Sequence, residues 1–150
     1  MIEIAPYTHK VQYYETDQMG IVHHSNYIKW LEEARMDFRD QIGVGYHTFE
    51  ENELASPIVA VSCQYKSAVS FGDSVSILPK IAKYTGVKLI MSYEIYNAEN
   101  RALCALAETT SCFINLDGKP ISLKNELPEL HTFILNELLY EPPSDDIPSE

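Results

Sequence analysis

The 150-residue chain is poor in positive charge, and this shortage excludes two classes of partner. Lys and Arg together number 11 against 22 Asp and Glu, which gives a formal net charge of -11 at pH 7. Nucleic-acid phosphates and anionic bilayers repel a surface of this sign. We therefore expect no nucleic-acid partner, and an anionic ligand would need a local basic patch that the total charge hides.

Cysteines and long apolar runs are also scarce. Cys63, Cys104 and Cys112 form no CxxC pair and leave an odd count, which is typical of reduced thiols in a cytoplasmic protein. The N-terminus lacks the basic and apolar regions of a signal peptide. No stretch approaches the roughly 18 consecutive apolar residues that a membrane span needs. We predict a cytoplasmic protein with no membrane insertion.

Several catalytic and metal-binding signatures are missing as well. The sequence contains no GxxxxGK[ST], no GxGxxG after a strand, no GxSxG and no HExxH. The side chains of the adjacent His23 and His24 diverge in any regular element, and His9, His47 and His131 are scattered along the chain. We predict no metal site.

The residues that are present indicate one folded domain of the α+β class. The apolar fraction of 45% is ordinary for a globular protein, and 150 residues suffice for one real core. Residues 7–14 mix aromatic, β-branched and polar side chains, as a half-buried strand does. An amphipathic helix is predicted from Tyr27 to Ile42, with Ser25 or Asn26 as its N-cap. Its apolar stripe consists of Tyr27, Trp30, Leu31, Ala34 and Phe38.

The rest of the chain reads mainly as strands joined by short turns. A short helical piece is predicted at 47–54, and strands are predicted at 58–66, 74–84, 87–96, 101–115 and 120–123. Short connections favour an antiparallel meander of five or six strands. A second helix is predicted at 128–140, which closes a domain of residues 1–140, and the proline-rich acidic residues 141–150 are predicted to be a disordered tail.

One amphipathic helix cannot cover both faces of such a sheet. We therefore expect the sheet to wrap around the helix on one face, and its other face or an edge to pair with a second copy. A homodimer or homotetramer is the predicted assembly.

The segment from Tyr14 to Tyr27 combines polar and titratable residues with the start of the long helix. A helix start offers unpaired backbone N–H groups, which can hold the oxyanion of an acyl-transfer reaction. The Asp17 carboxylate could attack a carbonyl or activate water there. From spacing alone, Asp17 could equally make an Asx-turn while Asn26 caps the helix.

The residues of this segment carry a family resemblance. Tyr-Glu-Thr-Asp-Gln-Met-Gly-Ile-Val-His-His-Ser-Asn-Tyr, residues 14–27, resembles the signature of hotdog-fold acyl-CoA thioesterases of the 4-hydroxybenzoyl-CoA thioesterase type, and most of all the branch associated with the Tol-Pal system. A weaker match follows at 65–73, where Ser67 replaces the proline that the family usually has. The resemblance covers roughly residues 8–125. It implies a single hotdog fold, in which an antiparallel sheet wraps a long central helix.

The resemblance also implies roles for individual residues. Asp17 matches the catalytic carboxylate, as nucleophile or general base, and His24 matches a histidine that orients Asp17 or binds near the thioester. The backbone N–H of Tyr27 is expected to face the thioester oxygen. The expected substrate-binding residues are Tyr14, Met19, Asn26, Tyr65, Lys66, Ser67 and Ala68.

The predicted function is hydrolysis of a fatty or aromatic acyl-CoA to the free acid and CoA. No separate cofactor is expected, because coenzyme A is part of the substrate. Three alternatives stay open: an acyl-carrier-protein thioesterase, a hotdog dehydratase, and a binding module that holds acyl-CoA without turnover.

Overall fold

A computed structural model of the chain describes residues 2–139. The strands are β1 (Tyr7–Lys10), β2 (Leu54–Ala55), β3 (Ile58–Tyr65), β4 (Ser74–Tyr84), β5 (Lys88–Asn97), β6 (Leu103–Cys112) and β7 (Ile114–Asn115). The helices are α1 (Ser25–Gln41), α2 (Tyr46–Glu51), α3 (Leu123–Glu126) and α4 (Pro128–Phe133).

Five strands form one antiparallel sheet in the order β1-β4-β5-β6-β3. Buried and less buried residues alternate along β4 and β5, so one face of the sheet supplies the core. Val75, Ile77, Met91 and Ile95 on this face are at most 3% exposed. The predicted α+β class and five-stranded antiparallel sheet are confirmed. The predicted meander holds only for β4, β5 and β6, because β3 pairs with β6 and not with β4.

Helix α1 packs its predicted stripe into the core. Tyr27, Trp30, Leu31, Ala34 and Phe38 are all at most 4% exposed, and α1 contacts β1, β3 and β4. Burial of this stripe against the sheet removes large apolar surfaces from water, which is the main stabilising contribution that an amphipathic helix makes.

The start of α1 differs from the prediction. The N-cap position is occupied by His24, whose side chain makes no capping bond, and neither Ser25 nor Asn26 is the N-cap. The ring of His23 supplies a substitute, because its Nδ1 accepts a hydrogen bond from the Ser25 N–H at 3.2 Å. Propensity favours Ser or Asn at this position, but here tertiary contacts decide where the helix begins.

The first strand is shorter than predicted. β1 ends at Lys10, and a 3-10 turn occupies Tyr13–Glu15 where the strand was expected to continue. The turn draws the Glu15 side chain into the protein interior and leaves Tyr13 and Tyr14 77% and 81% exposed.

The chain between residues 101 and 123 also departs from a single long strand. β6 ends at Cys112, and the short strand β7 then pairs with β2 in a separate two-stranded sheet that the sequence did not reveal. The predicted strand 120–123 is reduced to one bridge between Ile114 and Pro120.

The C-terminal helix is confirmed in part of its predicted range. α4 continues through a π-helical turn over Ile134–Leu138, and Leu139 then pairs with Ile81 of β4. The predicted end of the helix at residue 140 and the predicted tail at 141–150 lie outside the described residues. Within residues 2–139, no helix is long and apolar enough to cross a membrane.

Candidate active site

A short hairpin places Asp17 beside the start of α1. Thr16 pairs with Val22, and the Asp17 N–H donates to the Ile21 carbonyl at 2.8 Å. The turn closes through Gly20, whose φ of +78° is a conformation that glycine adopts without strain. A bridge between Ile21 and Ser70 fastens the hairpin to the loop before β4.

The Asp17 side chain uses one of its two oxygens within this hairpin. Its Oδ1 accepts the Met19 N–H at 2.8 Å, so the Asx-turn that the residues alone allowed is present. Among the described residues, nothing donates a hydrogen bond to Oδ2. Because Asp17 is partly exposed, this oxygen is free to receive a proton from water or to approach a carbonyl carbon.

An open cleft of about 650 Å³ lies next to Asp17. Its wall is lined by Asp17, Met19, Ile21, Val22, His24, Tyr27, Tyr65, Lys66, Ser67 and Ala68. Eight of the ten predicted site residues therefore meet at one place, although they come from the hairpin, α1 and the end of β3.

Two backbone N–H groups at the helix start differ in availability. The Tyr27 N–H already contacts the His24 carbonyl at 3.3 Å, whereas the His24 N–H donates no hydrogen bond within the described part of the chain. Of the two groups, the His24 N–H is therefore the one left without an acceptor among residues 2–139. The Tyr27 side chain is buried, and this burial raises the pKa of its hydroxyl far above the usual value.

The histidine and tyrosine rings beside the cleft pack against one another. His24 stacks on His23 with 4.2 Å between ring centroids, and Tyr65 meets Tyr27 edge-on at 4.9 Å. The Tyr65 hydroxyl donates to the His24 carbonyl at 3.1 Å and so ties the end of β3 to the start of α1.

Ser67, which stands where the family usually has a proline, makes two hydrogen bonds to β6. Its N–H donates to the Cys104 carbonyl at 3.2 Å and its hydroxyl to the Leu103 carbonyl at 2.6 Å. A proline could make neither bond. In this chain, hydrogen bonds to β6 hold the loop after β3 in place, whereas a proline would restrict it through its rigid ring. Among residues 2–139, Lys66 is the one Lys or Arg that lines the cleft.

Two predicted substrate-binding residues do not reach the cleft. Tyr14 points to solvent from the 3-10 turn. Asn26 is buried, and its amide donates to the carbonyls of Glu15 and His23 at 2.8 and 3.3 Å, so its contacts join the helix start to the hairpin. Among residues 2–139, no group of three or more His, Cys, Asp or Glu is placed to hold a metal ion.

Glu15 is the prominent residue that sequence reasoning missed. It is 4% exposed, and its carboxylate accepts hydrogen bonds from the Trp30 indole at 2.6 Å and from the Gln12 N–H at 2.8 Å. His9 Nε2 lies 2.8 Å from the same carboxylate. Burial alone would raise the pKa of Glu15, but the hydrogen bonds from Gln12, His9 and Trp30 together hold it below the usual value.

Comparisons with known proteins agree with this picture. The sequence model of the thioesterase-like superfamily matches residues 11–138. YneP of Bacillus subtilis, provisionally named an acyl-CoA thioesterase, is 32% identical over 82% of this chain and 89% of its own length. The acyl-CoA thioester hydrolase YbgC of Escherichia coli O6:H1 is 27% identical over 79% of this chain and 88% of its own length.

The fold leads to the same group of proteins. The crystal structure of a DHNA-CoA thioesterase from Staphylococcus aureus superposes with a TM-score of 0.80 and 30% identity, over 85% of this chain and 86% of the other. Since the superfamily model matches most of the chain, the resemblance of residues 14–27 is confirmed, and the chain belongs to the thioesterase-like superfamily.

Proposed function

We propose that the protein hydrolyses acyl-CoA thioesters, with Asp17 as the group that attacks the thioester or activates water. One observation carries this proposal: the hairpin and the start of α1 bring Asp17, His24 and Tyr27 to one cleft. The names of the B. subtilis and E. coli relatives support acyl-CoA as the substrate class.

The reaction needs few groups because a thioester is electrophilic and its thiolate leaves readily. In one scheme, Asp17 Oδ2 takes a proton from water, and the resulting hydroxide attacks the thioester carbon. In the other, Oδ2 attacks the carbon itself and water then cleaves the mixed anhydride. No separate cofactor enters either scheme, since coenzyme A belongs to the substrate.

We propose the backbone N–H of His24 as the preferred hydrogen-bond donor to the oxyanion. Tyr27, the donor expected from the resemblance, would have to release its contact with the His24 carbonyl, whereas the His24 N–H has nothing to release. The positive end of the α1 dipole adds to this stabilisation. The His24 ring, held against His23, is proposed to bind beside the thioester.

The fold offers an edge for a second copy. β3 is an edge strand of eight residues, and Val59 and Val61 on it are 56% and 41% exposed. A long apolar edge of this kind favours pairing with another chain. We propose a homo-oligomer through β3, with the sheet wrapped around α1 as the central helix of a hotdog domain that extends to about residue 140, in a cytoplasmic protein.

The decisive experiment measures thiol release from short, medium, long and aromatic acyl-CoAs. Asp17→Asn should lower kcat on the order of 10²-fold or more, because the amide is neither a base nor a nucleophile. Asp117→Asn is the matched control, since Asp117 is exposed in the turn after β7 and lies outside the cleft.

Each other result selects one of the alternatives. Turnover only on acyl-carrier-protein thioesters would identify the carrier-protein enzyme, and water loss from a β-hydroxyacyl chain would identify a dehydratase. Binding of acyl-CoA without thiol release would identify a binding module. Equal activity of Asp17→Asn and the wild type would remove Asp17 from the mechanism.

A further inference from the structure

Glu15 is a buried carboxylate that the proposed reaction does not use. Its Oε1 lies 2.8 Å from both the Gln12 N–H and His9 Nε2, and its Oε2 accepts the Trp30 indole N–H at 2.6 Å. These partners lie on β1, on the turn after it and on α1. A buried charge is retained at low cost only when it is this fully bonded.

The backbone of the same residue holds the base of the hairpin. The Glu15 carbonyl accepts the His23 N–H at 2.8 Å and the Asn26 side-chain amide at 2.8 Å. Asp17 follows Glu15 by two residues, and His24 follows His23 by one. Glu15 therefore joins the hairpin that carries Asp17 to the start of α1.

We propose that Glu15 is a positioning residue for the reaction at Asp17: it fixes the hairpin on α1 and so sets where the Asp17 carboxylate lies relative to the His24 N–H. This inference rests on the proposed function. Displacement of a reacting group by about 1 Å can lower the rate on the order of 10²-fold. Glu15 can therefore affect the reaction rate by holding the base of the hairpin, although it does not touch the substrate.

The charge of the side chain matters as well as its shape. A carboxylate offers two acceptor oxygens to three donors, whereas the amide of glutamine has one oxygen and places an NH₂ group against one of the donors. Glu15→Gln is therefore nearly isosteric but breaks the pattern of hydrogen bonds. Its lowered pKa agrees with a carboxylate that stays ionised in the folded protein.

The matched control is Glu33→Gln. Glu33 lies on the other side of the same histidine, with its carboxylate 3.4 Å from His9 Nδ1, and it also accepts the Tyr7 hydroxyl at 3.0 Å. It undergoes the same chemical change and belongs to the same cluster. However, its side chain makes no hydrogen bond to the hairpin or to the Trp30 indole among residues 2–139.

The experiment measures steady-state kinetics and amide hydrogen exchange on the folded full-length chain. For Glu15→Gln we expect kcat to fall about 10-fold to 100-fold with KM within about 2-fold, and exchange within residues 16–24 to rise about 10-fold or more. Glu33→Gln should leave both quantities unchanged. Trp30 is the only tryptophan, so its emission should shift in Glu15→Gln and report loss of the contact directly.

The two proposals fail in different ways. Wild-type kcat and exchange in a folded Glu15→Gln would overturn the positioning role while leaving thioester hydrolysis intact. If the wild type hydrolyses no thioester, the proposed function fails. In that case, amide hydrogen exchange of residues 16–24 that is the same in Glu15→Gln and in the wild type would still overturn the positioning role of Glu15. Should Glu15→Gln not fold, Trp30→Phe removes the donor to Oε2 together with one ring of the buried indole, and wild-type kcat and exchange in that variant would overturn the proposal.

Discussion

At the scale of single residues, Glu15 links the site to the acid stability of the fold. Its folded-state pKa lies below the ordinary value of 4.5, so the folded protein favours the ionised form. The stability that this preference contributes is fully present above pH 4.5 and is lost as the pH falls through the lowered folded value. The hydrogen bonds from Trp30, Gln12 and His9 are the physical source of the effect.

We expect the free energy of unfolding of the wild type to fall more steeply below pH 4.5 than that of Glu15→Gln, which has no proton to gain. Denaturant titrations at several pH values from about 7 to about 3 measure this difference. Glu33→Gln, which keeps the Glu15 carboxylate, should retain the wild-type slope. Parallel curves for the wild type and Glu15→Gln would contradict the assignment.

Lys66 is expected to affect how tightly the substrate binds. The chain has a net charge of -11, and among residues 2–139 Lys66 is the one Lys or Arg that lines the cleft, so we expect it to face the phosphates of coenzyme A. Lys66→Ala should raise KM about 3-fold to 10-fold with little change in kcat, and the effect should shrink in high salt. Lys119→Ala, in the exposed turn after β7, is the control; an equal KM in both variants would remove Lys66 from binding.

At the scale of elements, helix α4 depends on one polar contact to the sheet. The Tyr84 hydroxyl of β4 and His131 Nδ1 of α4 lie 2.6 Å apart, and burial raises the pKa of Tyr84 to about 12, so its hydroxyl keeps its proton at neutral pH. Gly86, in the turn between β4 and β5, has a φ of +92°, which favours glycine, whereas a Cβ there would meet the His131 ring only at an ordinary contact distance of 3.9 Å.

Tyr84→Phe should lower the free energy of unfolding by about 1 kcal/mol, the ordinary net contribution of such a hydrogen bond, and should increase amide exchange in α4. Tyr96→Phe is the comparison, since the Tyr96 hydroxyl donates to Glu94 on its own strand. If the two variants lose equal stability, the contact with His131 does not hold α4 in place.

The elements also show where sequence patterns suffice. β4 spans residues 74–84 as predicted, and the stripe of α1 is buried as its spacing required. β1 ends early because its continuation turns to place Glu15 under Trp30, a partner 15 residues away that no local pattern specifies. In the sequence, Glu15 and Asp17 are two similar acids in a polar segment; only the tertiary structure buries one and leaves the other at the cleft.

At the scale of the whole molecule, the candidate site was largely accessible from the sequence because its main segment is contiguous. Residues 17–27 supply the carboxylate, the histidine and the helix start, and the match at 65–73 supplies the opposite wall. Tyr14 precedes this segment and Asn26 lies within it, but the 3-10 turn and the buried helix start direct their side chains elsewhere.

The edge of β3 gives a prediction for assembly. Val61→Lys should convert the proposed oligomer to monomers, because a lysine on an edge strand opposes pairing with another edge. Sedimentation velocity measures this change, and Leu116→Lys, a change to an apolar side chain that is 73% exposed in the turn after β7, is the control. A wild type that is monomeric at micromolar concentrations, or a Val61→Lys variant that stays oligomeric, would contradict pairing through this edge.

The two sides of the cleft are anchored mainly on different elements, and two contacts join them, the Tyr65 hydroxyl to the His24 carbonyl and the bridge between Ile21 and Ser70. The hairpin with Asp17 is bonded to α1 through Glu15 and Asn26, whereas the wall at 65–68 is bonded to β6 through the carbonyls of Leu103 and Cys104. A mutation at the exposed Ala68, which takes part in neither joining contact, can therefore alter the wall and leave the groups proposed to cleave the thioester in place. Duplicated genes for such a scaffold can diverge in the acyl group they accept while inheriting the reaction unchanged.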